Sequence, residues 1–418
     1  IVLRGDRKRV AASLLPRAVA RGHAAVWWCG WNLRNHAGNA AVAHDSPGPA
    51  GGGHRVGDTQ HCSWHHLVAR VVCRQDPLRN YGSIPKEKSD MKFLTKRLRT
   101  TEFSLTLLFI VGFLVLASTS GGVLFSGQSI RSFLTYLAIP ILIGLAQMVV
   151  LAVGQLNLAV GAMGGASAAL MAQMMVSWDA PVWVALLSGF VAATLMGALN
   201  GALVIATGLN GFIITLGTLT ILEGLQYAFV RSFTIDGYPD AVKDFGKITF
   251  FNIPTVFIIA VITAGILAWF FRTNVVARRI LASGANPLAA RLSGVSNKSS
   301  IFLAHTLSGA ILGIAAIVTI TSLGGINRSV GGDWLLASFA APIIAGVLMS
   351  GGVVAVYGTV MAAAVIRLVD IARAQYSLDP SVVNLTIGTV VLSTVALSEW
   401  RRRRAEIKRQ KFVEVVNE

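Results

Sequence analysis

Long apolar runs separated by short polar breaks constrain this chain more than any other feature. They fall at 104–124, 132–153, 158–176, 181–206, 211–230, 251–271, 300–322, 334–349, 353–372 and 380–399. Crossing a bilayer as a helix takes about 20 apolar residues at 1.5 Å of rise per residue, and several runs approach that length. Composition agrees, with 54% hydrophobic and only 13% charged residues, against about 25% charged in a soluble domain. The expected fold is an all-α polytopic membrane protein of about ten transmembrane helices. Its short or broken segments lie near 154–176 and 334–352, where Gly or Pro interrupts the runs.

The formal charge of +17 reads as a topology signal rather than as a nucleic-acid surface, because Lys and Arg accumulate at the cytoplasmic ends of spans. The polar island 272–298 carries Arg272, Arg278, Arg279, Arg291 and Lys298 and no acid, which assigns it to the cytoplasmic side. With Met91–Thr101 also cytoplasmic, an even number of spans returns Arg401–Arg404 to the same side. Both termini are then expected on the cytoplasmic side of the membrane. All seven aspartates after Met91 fall outside or at the outer ends of spans on this count.

Residues 1–90 differ from the rest. They hold all three cysteines, seven of the eight histidines and four of the nine tryptophans, and the first methionine is Met91. They lack helical or strand periodicity and the pattern of a signal peptide. The expectation is a non-domain extension or translated upstream sequence, with the transmembrane domain at 91–418. His61, Cys62, His65, His66 and Cys73 have zinc-binding side chains but not the paired spacing of a zinc site, so no metal site is expected.

Inside the island, Asn286 suits an N-cap, Pro287 the first helical position, Leu288–Ser293 about two turns and Gly294 a stop. Such a capped helix, Asn286, Pro287, Ala289, Ala290, Arg291, Leu292, Ser293 and Gly294, reads either as a solvated connector or as a docking element for a cytoplasmic partner. The docking reading is favoured, because a mere tether has no reason to be capped.

Two breaks do more than helix packing requires. In Gly154–Gly161, Gln155 and Asn157 place two amides between apolar runs, and non-helical backbone at membrane depth belongs inside protein or beside a water-filled cavity. In Ala206–Gly211, Asn210 precedes a span carrying Thr215, Thr218 and Thr220. Either break could be a tight turn; both are candidates for a translocation path. Glu223 is the one carboxylate within a span and is a functional candidate by default, with pairing to Arg231 as the alternative. Gly161 and Gly165, Gly197 and Gly201, and Gly309 and Gly313 are spaced for close helix packing in lipid.

These residues resemble a family. GQLNLAVGAMGGASAAL, NGALVIATGLNGFIITLGTLTILEGL, GANPLAARLSGVSNKSSIFLAHTLSGAILGIAA and SFAAPIIAGVLMSGGVVAVYGTVMAAAVI are similar to permease subunits of bacterial ABC importers of the ribose and xylose type, related to branched-chain amino-acid permeases. The resemblance covers nearly all of 91–400 and none of 1–90. It implies that Asn286–Gly294 is a coupling helix seated in an ATP-binding subunit. It also implies a second permease copy or paralogue, an external substrate-binding protein and membrane lipid as partners, and a bacterial inner membrane as the location. The chain departs from the family at Asn157 and Ala159, where an aspartate and a serine are usual, and at Val353, where a basic residue is common.

The chain has no G-x-x-x-x-G-K-[ST] phosphate loop, and no catalytic constellation or cofactor motif is legible in the membrane region. His305 reads as a packed helix residue. The expected function is therefore a non-enzymatic permease subunit importing a sugar or polyol, with ATP hydrolysed by a separate subunit. The rivals are the same architecture carrying branched-chain amino acids or nucleosides, and a proton-coupled secondary transporter, for which Glu223 and His305 are thin provision.

Overall fold

A computed structural model describes residues 87–231 and 234–377, with isolated positions between 379 and 393. The expectations for 1–86, including the histidine–cysteine cluster, and for most of the run 380–399 lie outside the described residues.

Twelve helices carry the described chain. The apolar ones are α1 (Glu87–Thr119), α2 (Gly127–Leu151), α3 (Val160–Val176), α4 (Val182–Thr207), α5 (Gly211–Val230), α7 (Thr255–Thr273), α10 (Asn297–Ser322), α11 (Trp334–Ile344) and α12 (Val356–Gln375). By length and composition, six of the described helices can cross a bilayer; α3 and α11 are apolar but shorter. Helix α12, which is not one of those six, carries Arg367 and Asp370, which pair at 3.4 Å, with Arg367 also stacked on Tyr136 of α2 at 5.1 Å. A charged pair can lie along a span where its members neutralise each other.

The centre of the bundle is α2, whose residues from Ile141 to Ala152 are almost wholly buried. α10 packs beside it and against α4. A Cβ on Gly197 of α4 would stand 2.9 Å from the Gly309 Cα of α10, so these helices meet backbone to backbone, as small residues permit in lipid. His305 of α10 is fully buried in the same seam. By contrast, the outward faces of α4, α5 and α7 present Leu195, Ile221 and Trp269, the surface a membrane protein turns to hydrocarbon or to another span.

The loops gather at two ends. At one, the segment between α5 and α7 folds into an amphipathic helix, α6 (Asp240–Lys247), and a hairpin, β1 (Thr249–Phe250) with β2 (Ile253–Pro254). Phe251 and Asn252 turn the hairpin with positive φ. The apolar run beginning at 251 therefore enters its span only at Thr255, because its first residues pair as strands. Ile235 bridges Ile326 at this end, and Gln375 donates to Thr119 at 3.1 Å.

At the other end lies the basic island. Instead of one short helix in a loop, it forms two, α8 (Val275–Ala285) and α9 (Pro287–Leu292). Asn274 caps the first, its side chain accepting from the Val276 amide at 2.8 Å. Asn286 caps the second, accepting from the Ala289 amide at 3.0 Å, and Gly294 leaves it with φ of 80°. The capped helix expected at Asn286–Gly294 is present, and a second helix, not expected, precedes it.

Candidate functional site: a cleft at a broken span

The loop 323–333 does not stay at the surface. It descends along α3, and a Cβ on Gly161 would lie 2.0 Å from the Gly331 carbonyl oxygen. Gly161 and Gly165, spaced as for helix packing, thus receive an irregular loop, since a Cβ on Gly165 would meet the Val330 oxygen at 2.4 Å. Trp334 then begins α11 with its indole over Gly164. A span that starts as loop and finishes as helix is what the run 334–349 could not reveal by itself. Such a break is tolerated only where protein or a polar cavity surrounds it.

A cleft of about 530 Å³ opens there, lined by α5, the start of α3 and this loop, and Glu223, Gln226, Tyr227, Arg328, Ser329 and Asp333 supply its polar groups. Glu223 stands roughly 18 Å along α5 from Gly211, near the middle of a bilayer about 30 Å thick. Arg328 stacks on the Tyr227 ring at 5.2 Å and donates to the Arg231 carbonyl. Among the described residues no ion pair joins Glu223 to Arg231, so that alternative does not hold in this structure. Two carboxylates, a phenol and a guanidinium offer directional donors and acceptors on largely apolar walls, the usual constitution of a small-molecule site.

The other expected path residues sit elsewhere. Gln155 accepts from the Gly211 amide at 2.8 Å, Asn157 accepts from the Ala159 amide at 3.0 Å, and Asn210 caps α5 by accepting from the Phe212 amide at 3.1 Å. Thr215 receives the Leu158 amide at 3.0 Å, and Thr218 donates to the Thr215 carbonyl. The first four satisfy the backbone that leaves helical geometry between α2 and α3 and at the start of α5, whereas Thr218 bonds back within α5 itself. Only Glu223 of the six lines the cleft. Gln226, Arg328 and Asp333 carried no sequence signal beyond being polar near span ends.

On the opposite end, seven of the eight α9-segment residues are exposed and Ala290 alone turns into the protein, 5% exposed. Leu288 and Leu292 project outward, 69% and 83% exposed. An apolar pair on a capped, basic helix is a surface made for contact.

The bundle of apolar helices, broken spans and membrane-depth cleft defines an integral membrane permease. The chain belongs to the branched-chain amino acid transport system/permease component family, which matches residues 129–395. As a member of it, the chain is a permease component of a transport system and not itself an enzyme. Among its relatives, the D-allose transport system permease protein of Escherichia coli is 28% identical over 261 residues, 62% of this chain and 80% of that protein. The fructose import permease protein of Rhizobium meliloti is 26% identical over 294 residues, 68% and 81% of the two chains. An autoinducer 2 import system permease protein of Photorhabdus luminescens is 28% identical over 272 residues, 62% and 80%. No solved structure matches the chain.

Proposed function

We propose that the chain is the permease subunit of an ATP-driven importer of a monosaccharide or polyol, and that the cleft beside Glu223 is part of its path. The observation that carries this reading is the polar lining of that cleft at mid-span. Neutral hydroxyls are matched by groups that accept and donate in fixed directions, here Glu223, Asp333 and Arg328. Permeases for allose and fructose among the relatives support the substrate class.

The basic α8–α9 segment lies in the cytoplasm in this reading, as do both termini, and the hairpin and the loop 323–333 lie outside. ATP-binding subunits dock on Leu288 and Leu292, hydrolyse ATP and drive the cycle. A second permease, identical or paralogous, covers α5 where Glu223 is exposed, since a carboxylate facing hydrocarbon at that depth is costly. An external binding protein delivers the substrate.

The test is uptake by cells expressing the chain together with an ATP-binding subunit and a substrate-binding protein of its transport system. Labelled D-allose, D-fructose and leucine would be offered in parallel. ATP-dependent accumulation of a sugar is expected. Uptake of leucine alone would transfer the substrate class to amino acids, and uptake persisting without the ATP-binding subunit would replace the reading by a secondary transporter.

A further inference from the structure

We infer that Gln226 is a positioning residue, which holds the descending loop in the register that brings Arg328 and Asp333 into the cleft with Glu223. The inference rests on the cleft being part of the path. Gln226 is 4% exposed. Its side-chain amide donates to the Val330 carbonyl at 2.9 Å and, at longer range, to the carbonyls of Arg328 at 3.4 Å and Asn327 at 3.5 Å. Its oxygen turns to α3, where a Cβ on Gly165 would lie 2.5 Å from it. One amide thus gathers three carbonyls of a loop with no helical partners, at a depth where water is scarce.

The geometry separates this role from binding. Glu223 is exposed to the cleft, whereas the N–H groups of Gln226 are directed at loop backbone. Above it the loop is tied by the Ile235–Ile326 bridge and by Arg328 on Tyr227 and the Arg231 carbonyl; below it, among the described residues, the loop is held only by packing, of Gly331 on Gly161 and Trp334 on Gly164. Below Val330 the chain passes Gly331, with φ of 92°, and reaches Asp333 without a further side-chain hold from α5. Removing the amide therefore frees the segment that leads to Asp333, one of the three charged groups of the cleft, while the helices themselves keep their packing.

The experiment uses Val330→Cys, a half-buried position packed against the satellite core of α3 and Tyr238, with Cys29, Cys62 and Cys73 changed to serine. In the purified, detergent-solubilised protein, Gln226→Leu is expected to speed maleimide labelling of that thiol about tenfold, as lost buried hydrogen bonds would loosen the loop. Gln226→Glu keeps the size but removes both N–H donors and should do the same, which preserves the test if the leucine variant does not reach the membrane. In uptake of D-allose and D-fructose, the half-saturation concentration should rise about tenfold, with a smaller change in maximal rate, because binding groups are misplaced rather than removed. Unchanged labelling in both variants overturns the inference whatever uptake does. Faster labelling with unchanged uptake overturns the reading of the cleft as the path, and with it any transport role for Gln226.

Discussion

Gly284, two residues before the α9 cap, lies against the carbonyl of Ala152, and a Cβ there would stand 1.9 Å from that oxygen. The Gly352 amide donates to the same carbonyl at 2.9 Å. The end of α8, the break after α2 and the loop before α12 therefore meet backbone on backbone. If α9 is the docking element proposed above, a shift of it would pass to the break after α2 through backbone contacts and not through flexible side chains.

Gly284→Ala should uncouple the two. A methyl group must displace either α8 or the break, and overpacking of this kind costs about 1–3 kcal/mol. The expected outcome is a complex that still retains its ATP-binding subunit but transports at a small fraction of the wild-type rate. Wild-type uptake would show that the junction yields without consequence.

On α9, outward and inward positions should behave differently. Leu292→Asp leaves the fold intact, because the side chain is 83% exposed, but puts a carboxylate where an apolar partner surface is proposed, at a cost of several kcal/mol. Co-purification of the ATP-binding subunit should be lost. Ala290→Asp buries its charge within this chain instead and should lower thermal stability of the isolated permease. Lys298→Ala should change neither measurement.

Gln155 is expected to be a structural residue. Gln155→Leu leaves the Gly211 amide without its acceptor, a loss of about 1–3 kcal/mol for a buried group. Gln155→Glu retains an acceptor and should retain most of the stability. Thermal unfolding of the purified variants separates them, and two melting curves identical to wild type would return Gln155 to the list of path residues.

Glu223 faces the cleft, and there hydrogen bonding should matter more than charge. Glu223→Gln is expected to keep measurable uptake and Glu223→Leu to abolish it. Equal damage from both would mean that the negative charge itself is required.

Much of this architecture was legible from local pattern. Apolar runs marked the helices because lipid leaves a backbone no partner but itself. The cap on α9 was readable because Asn286 and Ala289 stand three residues apart, and a cap is a local hydrogen bond. Glu223 stood out because a carboxylate in a span is conspicuous wherever it points.

The tertiary structure alone decided what those elements are for. Gln226 meets Val330 across 104 residues of sequence, and Gly161 meets Gly331 across a longer separation still, so no local window of the chain contains either pair. Gln155 and Asn157 looked like path residues by composition, yet their oxygens turn to the amides of Gly211 and Ala159. Ala290 looked like its neighbours, yet it turns inward. Hydropathy reports which segments leave water, and its period reports how they coil. Which polar atom faces a cavity, and which is consumed by a broken backbone, depends on how helices distant in sequence are packed, and that is set by the summed contacts of the whole bundle.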